Sequence, residues 1–161
     1  MTWQTKSTGS ADTERLGGLL GKIITAPEII ELVSDLGGGK TTFVRGLARG
    51  LGSHDKVSSP TFTLNRIYKA GDLEIHHFDF YRLNEPGVVA AQLEESLQNP
   101  KAVTVIEWSD IVEDVLPAGR LTIQFQMVGG ETDGRQIEIR YPESKIGLIT
   151  QLETAWKEIE P

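Results

Sequence analysis

The stretch Glu28-Ile29-Ile30-Glu31-Leu32-Val33-Ser34-Asp35-Leu36-Gly37-Gly38-Gly39-Lys40-Thr41-Thr42-Phe43-Val44-Arg45-Gly46-Leu47-Ala48 decides the fold. Residues 28–34 are β-branched and nearly continuously apolar, the composition of a strand buried on both faces of a largely parallel sheet. Glycines follow at once. A helix is then predicted from about Lys40 to Leu51, with Phe43, Val44, Leu47, Ala48 and Leu51 on one face and Gly52 as its stop. Strand, glycine-rich loop and helix, in that order, are the context a phosphate loop requires.

The chemistry of such a loop explains its residues. Glycines let consecutive amide N–H groups converge on a polyphosphate, and the helix adds its positive N-terminal end. Lys40 then places an ammonium against the β and γ phosphates, Thr41 offers a hydroxyl to Mg²⁺, and Thr42 reaches the α phosphate. The expected nucleotide-binding residues run from Leu36 through Gly37, Gly38, Gly39, Lys40 and Thr41 to Thr42. The pattern G-x-x-x-x-G-K-[ST] is met except at its first position, which is Ser34. Serine resists positive φ, so a differently shaped start to the loop is expected. The alternative is a glycine-rich turn before an ordinary surface lysine.

Working outward, residues 1–9 read as a loosely held arm. Ser10 is placed as the cap of a helix to about Lys22, with Leu16, Leu19 and Leu20 as its stripe and Gly17, Gly18 and Gly21 weakening it. A hairpin is predicted with arms 61–68 and 73–80 and a turn at 69–72. Residues 86–98 read as a helix, Ala102 to Ile106 as a buried strand, and 121–128 and 136–141 as strands flanking a loop. The last segment spaces Ile146, Ile149, Leu152, Trp156 and Ile159 helically, predicting a helix over 144–159 docked on the sheet.

A phosphate loop also needs acids to hold Mg²⁺ and a group to orient water. In an open α/β sheet these belong at the carboxyl ends of neighbouring strands. Asp79, ending an alternating stretch, is one candidate; a turn-bound Asp is its alternative. Glu107 ends the most apolar strand, where a charge is costly without a partner; a buried ion pair is its alternative. Asp110 reads better as a solvated loop acid. Ser58-Ser59-Pro60-Thr61 is a turn, or a switch with Thr61 nearest the γ phosphate. His54, His76 and His77 form no metal set, since His76 and His77 point to opposite faces of a strand. Trp108 packs beside the nucleotide or caps the core.

The totals bound the function. With 161 residues the chain has the size of one domain. Its 39% hydrophobic and 24% charged content is that of a globular protein, and no apolar run approaches a membrane span. It has no cysteine, which excludes disulfides and thiolate metal sites and makes a cytoplasmic location the simplest expectation. A net charge of −7 makes the chain a poor candidate for gripping nucleic acid alone.

Taken together, 35–46 (Asp35 to Gly46), Ser59-Pro60-Thr61-Phe62-Thr63-Leu64, His77-Phe78-Asp79-Phe80-Tyr81-Arg82-Leu83 and Ile106-Glu107-Trp108 resemble, in order and spacing, the hallmarks of the bacterial TsaE (YjeE) ATPase family. The likeness covers roughly residues 10–141. It implies one α/β P-loop NTPase domain over 1–161, with a mixed, mostly parallel central sheet flanked by helices and a C-terminal antiparallel strand pair. It also implies a weak, Mg²⁺-dependent ATPase that serves the making of N6-threonylcarbamoyladenosine at position 37 of tRNA. Such a protein docks on the TsaB–TsaD complex, which stimulates hydrolysis, and meets tRNA only through those partners. By matching motif, Lys40, Asp79, Glu107 and Thr61 are the expected catalytic residues, with Thr41, Glu107 and Asp79 around Mg²⁺. Ser34 departs from the family's glycine, and Val88–Leu97 lacks a glycine common there. Two rivals remain: a small P-loop kinase, with Arg82 and Arg120 to be placed, and a binding module without turnover.

Overall fold

The computed structural model describes residues 1–34, 37–60, 65–81, 83, 87–129 and 133–159. Seven strands form one sheet: β1 (Thr2–Ser7), β2 (Glu28–Val33), β3 (Asn65–Ala70), β4 (Leu73–Asp79), β5 (Ala102–Glu107), β6 (Leu121–Met127) and β7 (Arg135–Arg140). Their order is β1-β7-β6-β2-β5-β4-β3. The four central strands β6, β2, β5 and β4 run parallel, while β7, β1 and β3 add antiparallel edges. The mixed, mostly parallel centre is therefore as expected. The C-terminal antiparallel strand pair is also as expected, β6 with β7, and β6 joins it to β2 in the same sheet.

The helices are α1 (Ser10–Ile23), α2 (Lys40–Leu51), α3 (Gly87–Gln98) and α4 (Ile146–Ile159), with a 3-10 segment at Ser109–Val115. The strand period of two sorts the sheet into two faces. Ile30, Leu32, Val103 and Val105 pack with Leu16, Leu20, Phe43, Leu47, Leu152 and Trp156 of α1, α2 and α4. Phe78 and Ile106 point the other way, toward Leu93 of α3 and Val112 of the 3-10 segment.

Three expectations are corrected. Residues 1–9 are not a loose arm: Thr2–Ser7 pair along β7 from Thr2↔Arg140 to Ser7↔Arg135. The strand was hard to see because it is an edge with mostly polar residues and exposed alternate positions. Ser10 is not the cap of α1; Gly9 holds that place, and Asp12 Oδ2 instead reaches back to accept from the Thr8 amide and hydroxyl at 3.0 and 2.6 Å. The glycines of α1 do not merely weaken it. A Cβ at Gly17 would stand 2.2 Å from Phe43 O, and one at Gly21 2.3 Å from Leu47 O. From the opposite helix, a Cβ at Gly46 would lie 1.9 Å from Glu14 O. The two helices touch backbone to backbone, which fixes α2, and with it the loop before it, against the core.

Candidate functional site

The glycine-rich loop lies between β2 and α2, at the carboxyl end of the parallel strands. Gly37 and Gly39 have φ of 76° and 101°, values that a side chain would strain. Gly39 caps α2 without any side-chain hydrogen bond, so the first-turn amides of the helix are left to the loop side. Ser34 does not need positive φ: among the described residues, Trp108 is the sole non-glycine with that geometry. The expected difference in the shape of the loop's start falls on the residues after Ser34; Asp35 and Leu36 lie outside the described residues.

One cleft is lined by Gly37, Gly38, Gly39, Lys40, Thr41 and Thr42 on one side, and by Ser59, Asp79, Glu107 and Trp108 on the other. Asp79 and Glu107 are register partners on β4 and β5. Counting by two, residues 75, 77 and 79 of β4 and 103, 105 and 107 of β5 share the face that α2 covers, so both carboxylates arrive beside the loop. The Phe80 amide donates to Glu107 O at 3.1 Å, locking the two strand ends. Asp79 Oδ1 accepts from the Tyr81 amide at 2.9 Å. Asp110 is exposed on the 3-10 segment and does not line the cleft. Thr61 and Arg82 lie outside the described residues.

Lys40 is 7% exposed. Its Nζ donates to Ser34 Oγ at 2.9 Å and to Ser34 O at 3.2 Å, and it lies 5.0 Å from the ring centroid of Trp108. Trp108 packs on the core and also lines the cleft. Its left-handed backbone (φ 56°) turns the ring over Lys40 and against Tyr81, 4.9 Å between centroids, while its body packs on the second core cluster.

Two side-chain contacts at the site were not foreseen from the sequence. His77 is fully buried, and its Nε2 lies 2.9 Å from Glu107 Oε2. A carboxylate only accepts, so Nε2 donates to it, while Nδ1 is buried with no hydrogen-bond partner among the described residues. His77 thus holds one oxygen of Glu107. Tyr68 lies tilted beside His77, 6.2 Å between ring centroids, and grips Ser58, donating to its carbonyl at 2.8 Å and accepting from its amide at 3.3 Å. Burial pushes the Tyr68 phenol up, keeping it protonated for that contact. Arg135 makes the second. It reaches from the start of β7 to the carbonyls of Gly37 and Gly38 at 3.2 and 3.3 Å, tying the loop to the β6–β7 side. Spacing alone could not have linked a residue 98 positions away to the loop. His76 and His54 are elsewhere: His76 meets Ser96 and Glu74, and His54 is exposed.

The donor set suits Mg²⁺ with a polyphosphate. Thr41, Asp79 and Glu107 are hard oxygen donors, and Mg²⁺ takes one or two carboxylates plus phosphate and water rather than a full protein cage. Among the described residues no group of three or more His, Cys, Asp and Glu converges as a metal site by itself. No described helix is long and apolar enough to cross a membrane.

The sequence family described as "Threonylcarbamoyl adenosine biosynthesis protein TsaE" matches residues 7–137. The tRNA threonylcarbamoyladenosine biosynthesis protein TsaE of Bacillus subtilis is 33% identical over 131 residues, 81% of this chain and 80% of that protein. Its counterpart in Nostoc sp. is 43% identical over 101 residues, 61% of this chain and 62% of that protein's length. The crystal structure of Bacillus subtilis YdiB superposes with a TM-score of 0.78 at 26% identity, covering 96% of each chain.

Proposed function

Since this chain belongs to the TsaE family of threonylcarbamoyl adenosine biosynthesis proteins, we propose that it binds and slowly hydrolyses ATP to cycle the tRNA-modifying TsaB–TsaD complex. The observation that carries the reading is the facing of Lys40, Thr41 and Thr42 by Asp79 and Glu107 across one cleft. The loop amides and the start of α2 receive phosphate oxygens, and Lys40 neutralises the β and γ phosphates. Thr41 and Glu107 hold Mg²⁺, with Asp79 as the Walker-B-like acid beside them. When bound, Mg²⁺ would supply charge neutralisation on the phosphates. His77 orients Glu107, and Thr61 is the switch hydroxyl.

The whole chain, 1–161, acts as one ATPase domain in the cytoplasm. Its net charge of −7 supports leaving the tRNA to the partners. Binding of ATP stabilises the docked state and hydrolysis releases it; equal affinity of the ATP and ADP forms for TsaB–TsaD would remove the basis for this cycle. The kinase alternative is weaker. Arg120 is engaged with Glu113 and the Pro117 carbonyl, and it does not line the cleft. Turnover assays with Lys40→Ala and Glu107→Ala, with and without partners, test the proposal.

A further inference from the structure

We infer that Ser34 sets the nucleotide affinity of this cleft by holding the Lys40 ammonium on its own hydroxyl, so that a polyphosphate must displace that contact to gain the lysine. The inference rests on the ATP reading above and concerns the strength of binding at the same loop.

An ammonium has three N–H donors. Two are directed at Ser34, one to Oγ at 2.9 Å and one to the carbonyl at 3.2 Å, and the face of Trp108 lies on another side. Lys40 is almost wholly buried, so water gives little help in exchanging these partners. The hydroxyl is an addition that the backbone does not require, because Ser34 has no positive φ that would call for glycine. Glycine at this position would leave the carbonyl contact and remove the hydroxyl. A phosphate oxygen makes the stronger, charge-assisted bond to Lys40. The Ser34 contact is therefore a handicap on binding rather than a block. It acts on the phosphates that Lys40 meets, the β and γ, and not on the α phosphate, base or sugar.

The test is the equilibrium dissociation constant of ATP, ADP and AMP for the wild type, Ser34→Ala, Ser34→Gly and Lys40→Ala, read by calorimetry, with thermal unfolding of each variant as the check on folding. Ser34→Ala is expected to tighten ATP and ADP by about 3- to 10-fold, the net scale of one ordinary hydrogen bond, and to leave AMP unchanged. Ser34→Gly is expected to tighten them at least as much. Unchanged or weaker ATP binding by folded Ser34→Ala overturns the inference, since the hydroxyl would then be neutral or would pre-position the lysine. Equal tightening of AMP also overturns it, because the effect would not pass through Lys40. Failure of the ATP reading looks different: the wild type would bind ATP no better than Lys40→Ala does, and both claims would fall.

Discussion

His77 Nε2 and Glu107 Oε2 stand 2.9 Å apart on neighbouring strands, with neither side chain more than 3% exposed. A carboxylate at that depth needs its partner, and the partner decides which oxygen remains for the cleft. His77→Phe is therefore expected to weaken Mg²⁺ binding with the nucleotide, raising the half-saturating Mg²⁺ by about 10- to 100-fold. Magnesium titrations at fixed nucleotide check this. An unchanged Mg²⁺ midpoint in a folded variant would reduce His77 to packing.

The α1–α2 contact predicts a large stability effect from one methyl group. A Cβ at Gly46 would fall 1.9 Å from the Glu14 carbonyl, and neither backbone can retreat without moving a core helix. Gly46→Ala is expected to cost about 3 kcal/mol and lower Tm by about 10 °C. Thermal denaturation measures it. Gly119, with nothing near its Cβ position, is the control and should tolerate alanine within about 0.5 kcal/mol.

How much of this could be read from the chain depends on whether the signal is local. The loop, α2 and β5 are local: glycines, a lysine and an amphipathic stripe lie within a few residues of one another. Asp79 was legible as the end of an alternating stretch and Glu107 as the end of an apolar one, and the strand period then brings them to one face. Other features depend on distant partners. The β1 strand is polar and becomes visible only when β7 supplies its hydrogen bonds. The α1 glycines look like defects until α2 is laid against them. The sequence placed His77 on the strand face opposite His76 but could not supply its partner, which sits 30 residues away.

Arg135 offers a further test of the loop. Its guanidinium takes the Gly37 and Gly38 carbonyls, which holds the loop in the shape that glycine φ values permit. Arg135→Ala is expected to weaken ATP binding about tenfold while changing Tm by no more than about 3 °C. Calorimetric affinities for the two proteins decide it, and an unaltered affinity would mean the loop keeps its shape unaided.

Asp12 gives a pH dependence with a defined sign. The Thr8 hydroxyl, and after it the Thr8 amide, hold its carboxyl below the ordinary 3.8. A depressed folded value stabilises the native state at pH above 3.8, and that contribution is lost as pH falls through the lowered value. Asp12→Ala should thus be less stable than the wild type near neutrality, with the difference shrinking below pH 3.8. Urea midpoints across the acid range measure the gap; a gap that widens on acidification contradicts the assignment.

The central claim is that the cleft between the glycine loop and the Asp79–Glu107 strand ends turns over ATP in the service of tRNA modification. Steady-state ATP hydrolysis by the purified protein, alone and with the TsaB–TsaD complex, tests it most directly when Lys40→Ala and Glu107→Ala are run beside it. The account predicts slow hydrolysis that rises with the partners and is lost in both variants. Tight ATP binding with no turnover in any mixture, or hydrolysis that survives both substitutions, would contradict it.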